Sequence, residues 1–152
     1  MHSRREKPAG RRNSMDYVRI SASQTGALWE LHKAYKAEIR EDSPAVTDLE
    51  CLEKAIQEDR IRFYGAWDGA SLVGCCSVTV GFSTFNYAAS GVFEDFYIRP
   101  SHRHHGIARE LVRLARTESG VHSLTVGCAD CDVPMYQALG FTVRLGNLLA
   151  FD

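Results

Sequence analysis

The sequence predicts one mixed α/β (α+β) domain, a central and mostly antiparallel sheet with helices on both faces. Three observations carry this. Strand-like apolar runs crowd into mid-chain, helix-period segments lie on either side of them, and antiparallel hairpins are followed by β-α-β units. With 152 residues, 45% of them apolar and 24% charged, the chain has the composition of an ordinary globular domain and the length for a real core.

The elements follow in order. "DYVRIS" (16–21) alternates apolar and polar residues and reads as an opening strand. Leu28, Leu31, Tyr35 and Ile39 then recur at helical spacing between Gln24 and Arg40, with Ser23 or Thr25 as candidate caps. "EDSPA" breaks that helix, and a second one from about Asp48 to Glu58 carries Leu49, Leu52 and Ile56 on one face. "IRFYGAWDG" and "SLVGCCSVTVGF" are two apolar strands joined at Asp68-Gly69, a hairpin signal. "STFNYAASG" has the composition of a loop, and "VFEDFYI" is a third strand ended by Pro100. A helix over 105–117 buries Ile107, Ala108, Leu111, Val112, Leu114 and Ala115 and exposes Arg109, Arg113 and Arg116. "HSLTVG" is a strand, and "DVPMYQAL" a short helix with Asp132 as N-cap, Pro134 in its first turn and Gly140 as its stop. "FTVRLGNLLAFD" is expected to close the chain as a strand.

Composition excludes several classes of function. No apolar run approaches the roughly 20 residues of a membrane span. Residues 1–14 read as a disordered basic extension or leader ahead of a single domain over 15–152, with Met15 an alternative start. Those fourteen residues hold five bases and one acid, so the remainder sets 13 bases against 18 acids, a net charge of −5. An acidic domain argues against a nucleic-acid platform, which usually shows a basic face. Five cysteines without framework spacing or a secretion signal are expected to be reduced thiols of a cytoplasmic protein. The single CxxC, "CADC" at 128–131, lacks a second metal-spaced pair, so no metal is expected and these thiols read as small, buried or half-buried residues.

The chemistry concentrates at "YIRPSHRHHGIARELVRLA" (97–115). A strand stopped by a proline, a short loop and a helix start gather backbone N–H groups at the positive end of a helix dipole, where an anion binds. Gly106 lets the backbone approach a ligand, Ala108 keeps the first turn close to the sheet, and Arg103 adds a planar fork suited to phosphate oxygens. Neither a P-loop nor a dinucleotide-binding G-x-G-x-x-G is present.

"EDFYIRPSHRHHGIARELV" resembles the acetyl-CoA signature of the GNAT superfamily of N-acetyltransferases, a strand ending before [QR]-x-x-G-x-[GA] and a helix. "MYQALGF", about 30 residues on, resembles the family's second motif. The resemblance covers residues 16–152. It implies acetyl-CoA as co-substrate, its pyrophosphate held by the backbone of Arg103, His104, His105, Gly106, Ile107 and Ala108. It also implies a thioester carbonyl polarised by a backbone N–H around Tyr97 or Ile98, and Tyr136 as general acid. The family often has an asparagine and an alanine upstream of that tyrosine, where Ala129 and Asp132 stand here.

An alkylammonium near pKa 10.4 must lose its proton before it attacks a thioester. Glu94 and Asp95 sit side by side in an apolar strand, so only one faces the cleft unless a bulge re-aims the strand. The resemblance favours Glu94 as base, because polyamine acetyltransferases of the family have a similar "ED" there; Asp95 then falls to substrate binding. The two predicted N-terminal helices and their loop carry eight acids between Glu38 and Asp59 against two bases; the resemblance implies that they wall the acceptor site, with Glu41 and Asp42 as the expected cation contacts. These readings describe acetyl transfer to a small cationic amine of polyamine or aminoglycoside type. A protein lysine or N-terminal acetyltransferase and a non-catalytic coenzyme A-binding module are the alternatives, and homodimers are common in the resembled family.

Overall fold

The computed structural model describes residues 14–151, so all but the last residue of the basic extension over residues 1–14 lies outside the described residues. Five strands form one sheet in sequence order: β1 (Asp16–Arg19), β2 (Ile61–Asp68), β3 (Ser71–Ser83), β4 (Ala88–Ile98) and β5 (Ser123–Val126). Every neighbouring pair is antiparallel except β4 and β5, which run parallel. Helices α1 (Thr25–Glu38) and α2 (Val46–Gln57) precede β2, α3 (Ile107–Glu118) makes the crossover from β4 to β5, and α4 (Val133–Ala138) follows β5.

Alternation along the strands builds a core on each face. Phe63, Leu72, Cys75 and Tyr97 point one way and pack with Ile20, Leu28 and Leu31 around α1, and with Ile56 of α2. Their strand neighbours Tyr64, Val73 and Cys76 point the other way, and with Val78 and Phe93 they meet Ile107, Leu111, Val112 and Ala115 of α3. Each large side chain sealed this way contributes about 1.5–3 kcal/mol relative to exposure. Arg62 ties the face edges together, binding Asp59 through two nitrogens and reaching the Ser119 carbonyl at the end of α3.

Three expectations are corrected. "STFNYAASG" is mostly strand: β3 runs to Ser83 and β4 begins at Ala88, leaving a turn over 84–87. Its small polar residues fit a ladder because each has a cross-strand partner, such as Gly81 opposite Ser90. The expected closing strand is not formed. Residues 141–151 belong to no ladder, and Val143, Leu145, Leu148, Leu149 and Phe151 are all exposed. An alternating pattern becomes a strand only where an edge accepts its hydrogen bonds. Cys128 and Cys131 are exposed, because "CADC" lies beyond the end of β5 and outside both cores. All five described cysteines are free thiols, and no described group of three potential ligands could hold a metal. Among the described residues no helix is long and apolar enough to cross a membrane.

Candidate active site

The site begins at a defect in β4. Its pairing with β3 is regular from Ser83↔Ala88 to Ser77↔Glu94 and resumes at Cys75↔Tyr97, so Asp95 and Phe96 together oppose Cys76. This is a β-bulge, and Asp95 takes a left-handed backbone (φ 50°) to make it. On the other side of β4 the pairing with β5 stops at Phe93↔Val126. Beyond Phe93 the two parallel strands no longer pair, and β4 presents an open edge into the gap.

The bulge decides where the two acids point. Glu94 shares a face with its partner Ser77, on the α1 side, because Ser77 lies two residues from Cys75. Asp95 turns to the same face, since the buried Ser77 hydroxyl donates to its Oδ2 at 2.6 Å. Neighbours that a regular strand would separate are thus side by side, Glu94 exposed and Asp95 half-buried. His32 and Tyr35 of α1 are within reach of the charge of this carboxylate, their rings edge-on with centroids 6.1 Å apart, and Tyr35 lies 5.5 Å from the Tyr97 ring. Burial pushes the His32 imidazole down and the negative charge of Asp95 opposes that, whereas burial and then Asp95 both push the Tyr35 phenol up. The sequence reading missed His32 and Ser77 and took Tyr35 as core only. A histidine one residue from Leu31 on a buried helix face, and a serine inside "CCSVTV", were the available signals.

Across the gap, Tyr136 of α4 is half-buried in an aromatic cluster with Phe93, Phe96 and Phe141 at centroid distances of 5.9 to 6.5 Å. Its phenol is pushed up to about 12 by burial first, and then by the charges of Asp132, Cys128 and Tyr35. At neutral pH this hydroxyl keeps its proton.

The loop after β4 is the turn that the sequence marks as a candidate anion site. Pro100–His102 form a 3-10 turn, His104 (φ 64°) and Gly106 (φ 82°) are left-handed, and α3 starts at Ile107. His104, His105 and Gly106 are exposed, Ala108 is half-buried, and Ile107 is buried beneath the turn. Nothing lies within 4 Å of where a Cβ on Gly106 would sit, so the glycine answers to the backbone conformation rather than to space in the free protein. The N–H groups of the first turn of α3 face outward with no intrahelical acceptor.

Arg103 behaves differently from expectation. One guanidinium nitrogen donates to both Glu38 oxygens at 2.8 Å, Nε donates to the Ile98 carbonyl at 2.9 Å, and the group lies over the Tyr97 ring. Its fork therefore ties the turn to the end of α1, and Tyr97 and Ile98 lie beneath that tie as core and half-buried residues. The acidic helix pair is also more neutral than its composition. Glu38 pairs with Arg103, Glu41 with Lys36, Glu58 with Arg60, and Asp59 with Arg19 and Arg62, whereas Asp48 and Glu53 accept only from neutral donors, the Ala45 N–H and the Thr25 hydroxyl. Asp42 is exposed and in no ion pair among the described residues.

A family model described as an acetyltransferase (GNAT) domain matches residues 59–143. Among curated proteins nothing matches. Solved structures share the fold at low identity. An aminoglycoside acetyltransferase, meta-AAC0020, from an uncultured soil metagenomic sample in complex with sisomicin is 14% identical, with a TM-score of 0.79 over 91% of this chain and 95% of that one. A predicted acetyltransferase from Clostridium acetobutylicum with acetyl-CoA is 16% identical, with a TM-score of 0.71 over 91% and 96%. Glucosamine-6-phosphate N-acetyltransferase from Arabidopsis thaliana is 13% identical, with a TM-score of 0.70 over 91% and 98%.

Proposed function

The chain belongs to the GNAT acetyltransferases, and from that premise we propose that it moves an acetyl group from acetyl-CoA to the primary amine of a small cationic molecule, of polyamine or aminoglycoside type. The observation that carries the proposal is one run of chain: the strand whose edge opens beyond Phe93 leads through the left-handed His104 and Gly106 into the amides of the first turn of α3. A diphosphate on those amides would sit next to a free strand edge, the arrangement that a long thioester with a charged head requires. The sisomicin complex of the structural neighbour lends the acceptor class its support.

Each residue then has a defined task. The amides from Arg103 to Ala108 bind the pyrophosphate, with no part for the Arg103 fork, which stays on Glu38. A backbone N–H of the open β4 edge around Tyr97 or Ile98 polarises the carbonyl. Glu94 accepts the ammonium proton, directly or through water, because its pairing with Ser77 sets it on the face to which the bulge turns Asp95 and its exposure lets water reach it. Tyr136 donates a hydrogen bond to the sulfur as the C–S bond breaks. The ammonium gives up two protons in all: the one that Glu94 takes before attack passes to solvent, and the one that the nitrogen sheds as the C–N bond forms balances the proton that the departing thiolate gains through Tyr136. Glu41, shared with Lys36, and Asp42 add charge that steers a cation toward the α1 end.

Steady-state kinetics with acetyl-CoA and four acceptors test this: spermidine, sisomicin, a lysine peptide and a neutral amine. The expected order places the first two highest in kcat/KM. Preference for the peptide would replace the small-molecule acceptor with a protein, and preference for the neutral amine would remove the electrostatic argument.

A further inference from the structure

Most acids of the α1–α2 pair already have partners, so the charge that recognises the acceptor has to be sought elsewhere. Asp95 meets the requirement. Among the described residues it is in no ion pair, one carboxylate oxygen is fixed by Ser77, and it is half-buried at the rim of the gap. The His32 and Tyr35 rings of α1 are within reach of its charge, and Tyr35 packs on Tyr97. A fixed carboxylate with aromatic neighbours offers an alkylammonium a charge-assisted hydrogen bond and a π face together.

We infer that Asp95 is the docking point of the acceptor ammonium, that the buried Ser77 hydroxyl is the positioning residue that aims its carboxylate, and that His32 and Tyr35 wall this subsite. The inference rests on the acetyltransferase reading and sharpens its substrate class to a primary alkylamine recognised through one ammonium at the sheet bulge. Recognition then does not depend on a polycation spread over the helix pair. Asp95 also keeps the cation next to Glu94, its neighbour in the chain and on the face. Ser77 has no surface of its own and acts through the carboxylate it holds. The second Asp95 tether is the Cys75 thiol, which donates to the Asp95 carbonyl at 3.4 Å and steadies the left-handed backbone.

Calorimetric titration of the coenzyme A-loaded protein with spermidine and with a monoamine, 3-phenylpropylamine, tests the inference independently of turnover. Asparagine tolerates a left-handed backbone, so Asp95→Asn retains the bulge. It should weaken both amines about tenfold or more, the size of one lost charge-assisted contact, and leave coenzyme A affinity unchanged. Ser77→Ala should weaken the amines about threefold to tenfold in the native background and add nothing in the Asp95→Asn background. A purely packing role for Ser77 would cost the same in both. Glu50→Gln, which removes a charge from α2, should change amine binding less than about twofold. Native amine affinity in Asp95→Asn, or an equal Ser77→Ala loss in both backgrounds, overturns the assignment. If neither amine binds the native protein while acetyl-CoA does, the amine acceptor itself falls, a result distinct from both.

Discussion

The two faces of the sheet are finished to different degrees. On the α3 face, Tyr64, Val78, Phe93, Leu111 and Ala115 form a sealed core that continues into the aromatic cluster around Tyr136. On the α1 face the apolar packing of Leu28, Leu31, Phe63, Leu72 and Cys75 stops at the bulge, and the next groups along β3 and β4 are Ser77, Glu94 and Asp95. One face supplies stability that can hold a strained strand, and the other leaves polar groups uncovered where that strain places them. Substitutions should therefore separate into those that cost folding and those that cost turnover.

The largest effect is expected from Phe93→Ala on the sealed face, about 3–5 kcal/mol of stability, because a fully buried ring in contact with Phe96 and Phe141 is lost. A chemical denaturation midpoint close to the native one would show that this face is less closed than described. Tyr136→Phe leaves the ring packing in place and removes only the hydroxyl, so kcat should fall about 100-fold with acetyl-CoA affinity and melting temperature nearly unchanged. Native turnover in that variant removes Tyr136 from the mechanism. Gly91→Ala puts a Cβ 2.6 Å from Val78 Cγ1 and 3.2 Å from Leu124 and Val121, and should destabilise by about 1–3 kcal/mol. A thermal melt decides, and no loss would mean that β4 and β5 can move apart at this point.

Glu94→Gln lies on the open side and should lower kcat/KM about tenfold, since water can relay part of the proton traffic, while the melting temperature stays put. An unchanged kcat/KM assigns the base to another group. The smallest effect is at Asp59, whose carboxyl the Arg62 hydrogen bond, and after it Arg19, holds down at about 2. A carboxyl with a depressed folded-state pKa stabilises above its unfolded value near 3.9 and loses that contribution as the pH falls through about 2. The group is half exposed, so Asp59→Asn should cost about 1 kcal/mol or less at pH 7, and the difference should fade as the pH drops through about 2. A pH-independent difference would give the loss a cause other than charge.

Local pattern was enough for most of the fold. Period two and period 3.6 located the helices and the first five strands, and Asp68-Gly69 and Pro100 punctuated them. The failures share a long-range cause. Whether residues 88–91 or 141–151 become strand depends on a partner edge, which periodicity does not report. The motif over 103–108 was legible as a turn into a helix, but the partner of Arg103 is 65 residues away at Glu38, and the Asp95 bulge is a register shift against Ser77. "ED" was visible as a pair of acids in an apolar strand; that both face the same side was not.

The most direct test of the account is calorimetric titration of the protein with acetyl-CoA and, separately, with S-acetylpantetheine, which has the thioester arm but no pyrophosphate. The account predicts micromolar binding of acetyl-CoA and at least about 100-fold weaker binding of the truncated thioester, because the α3 amides lose their anion. Equal affinity for the two, or no binding of acetyl-CoA, would contradict it.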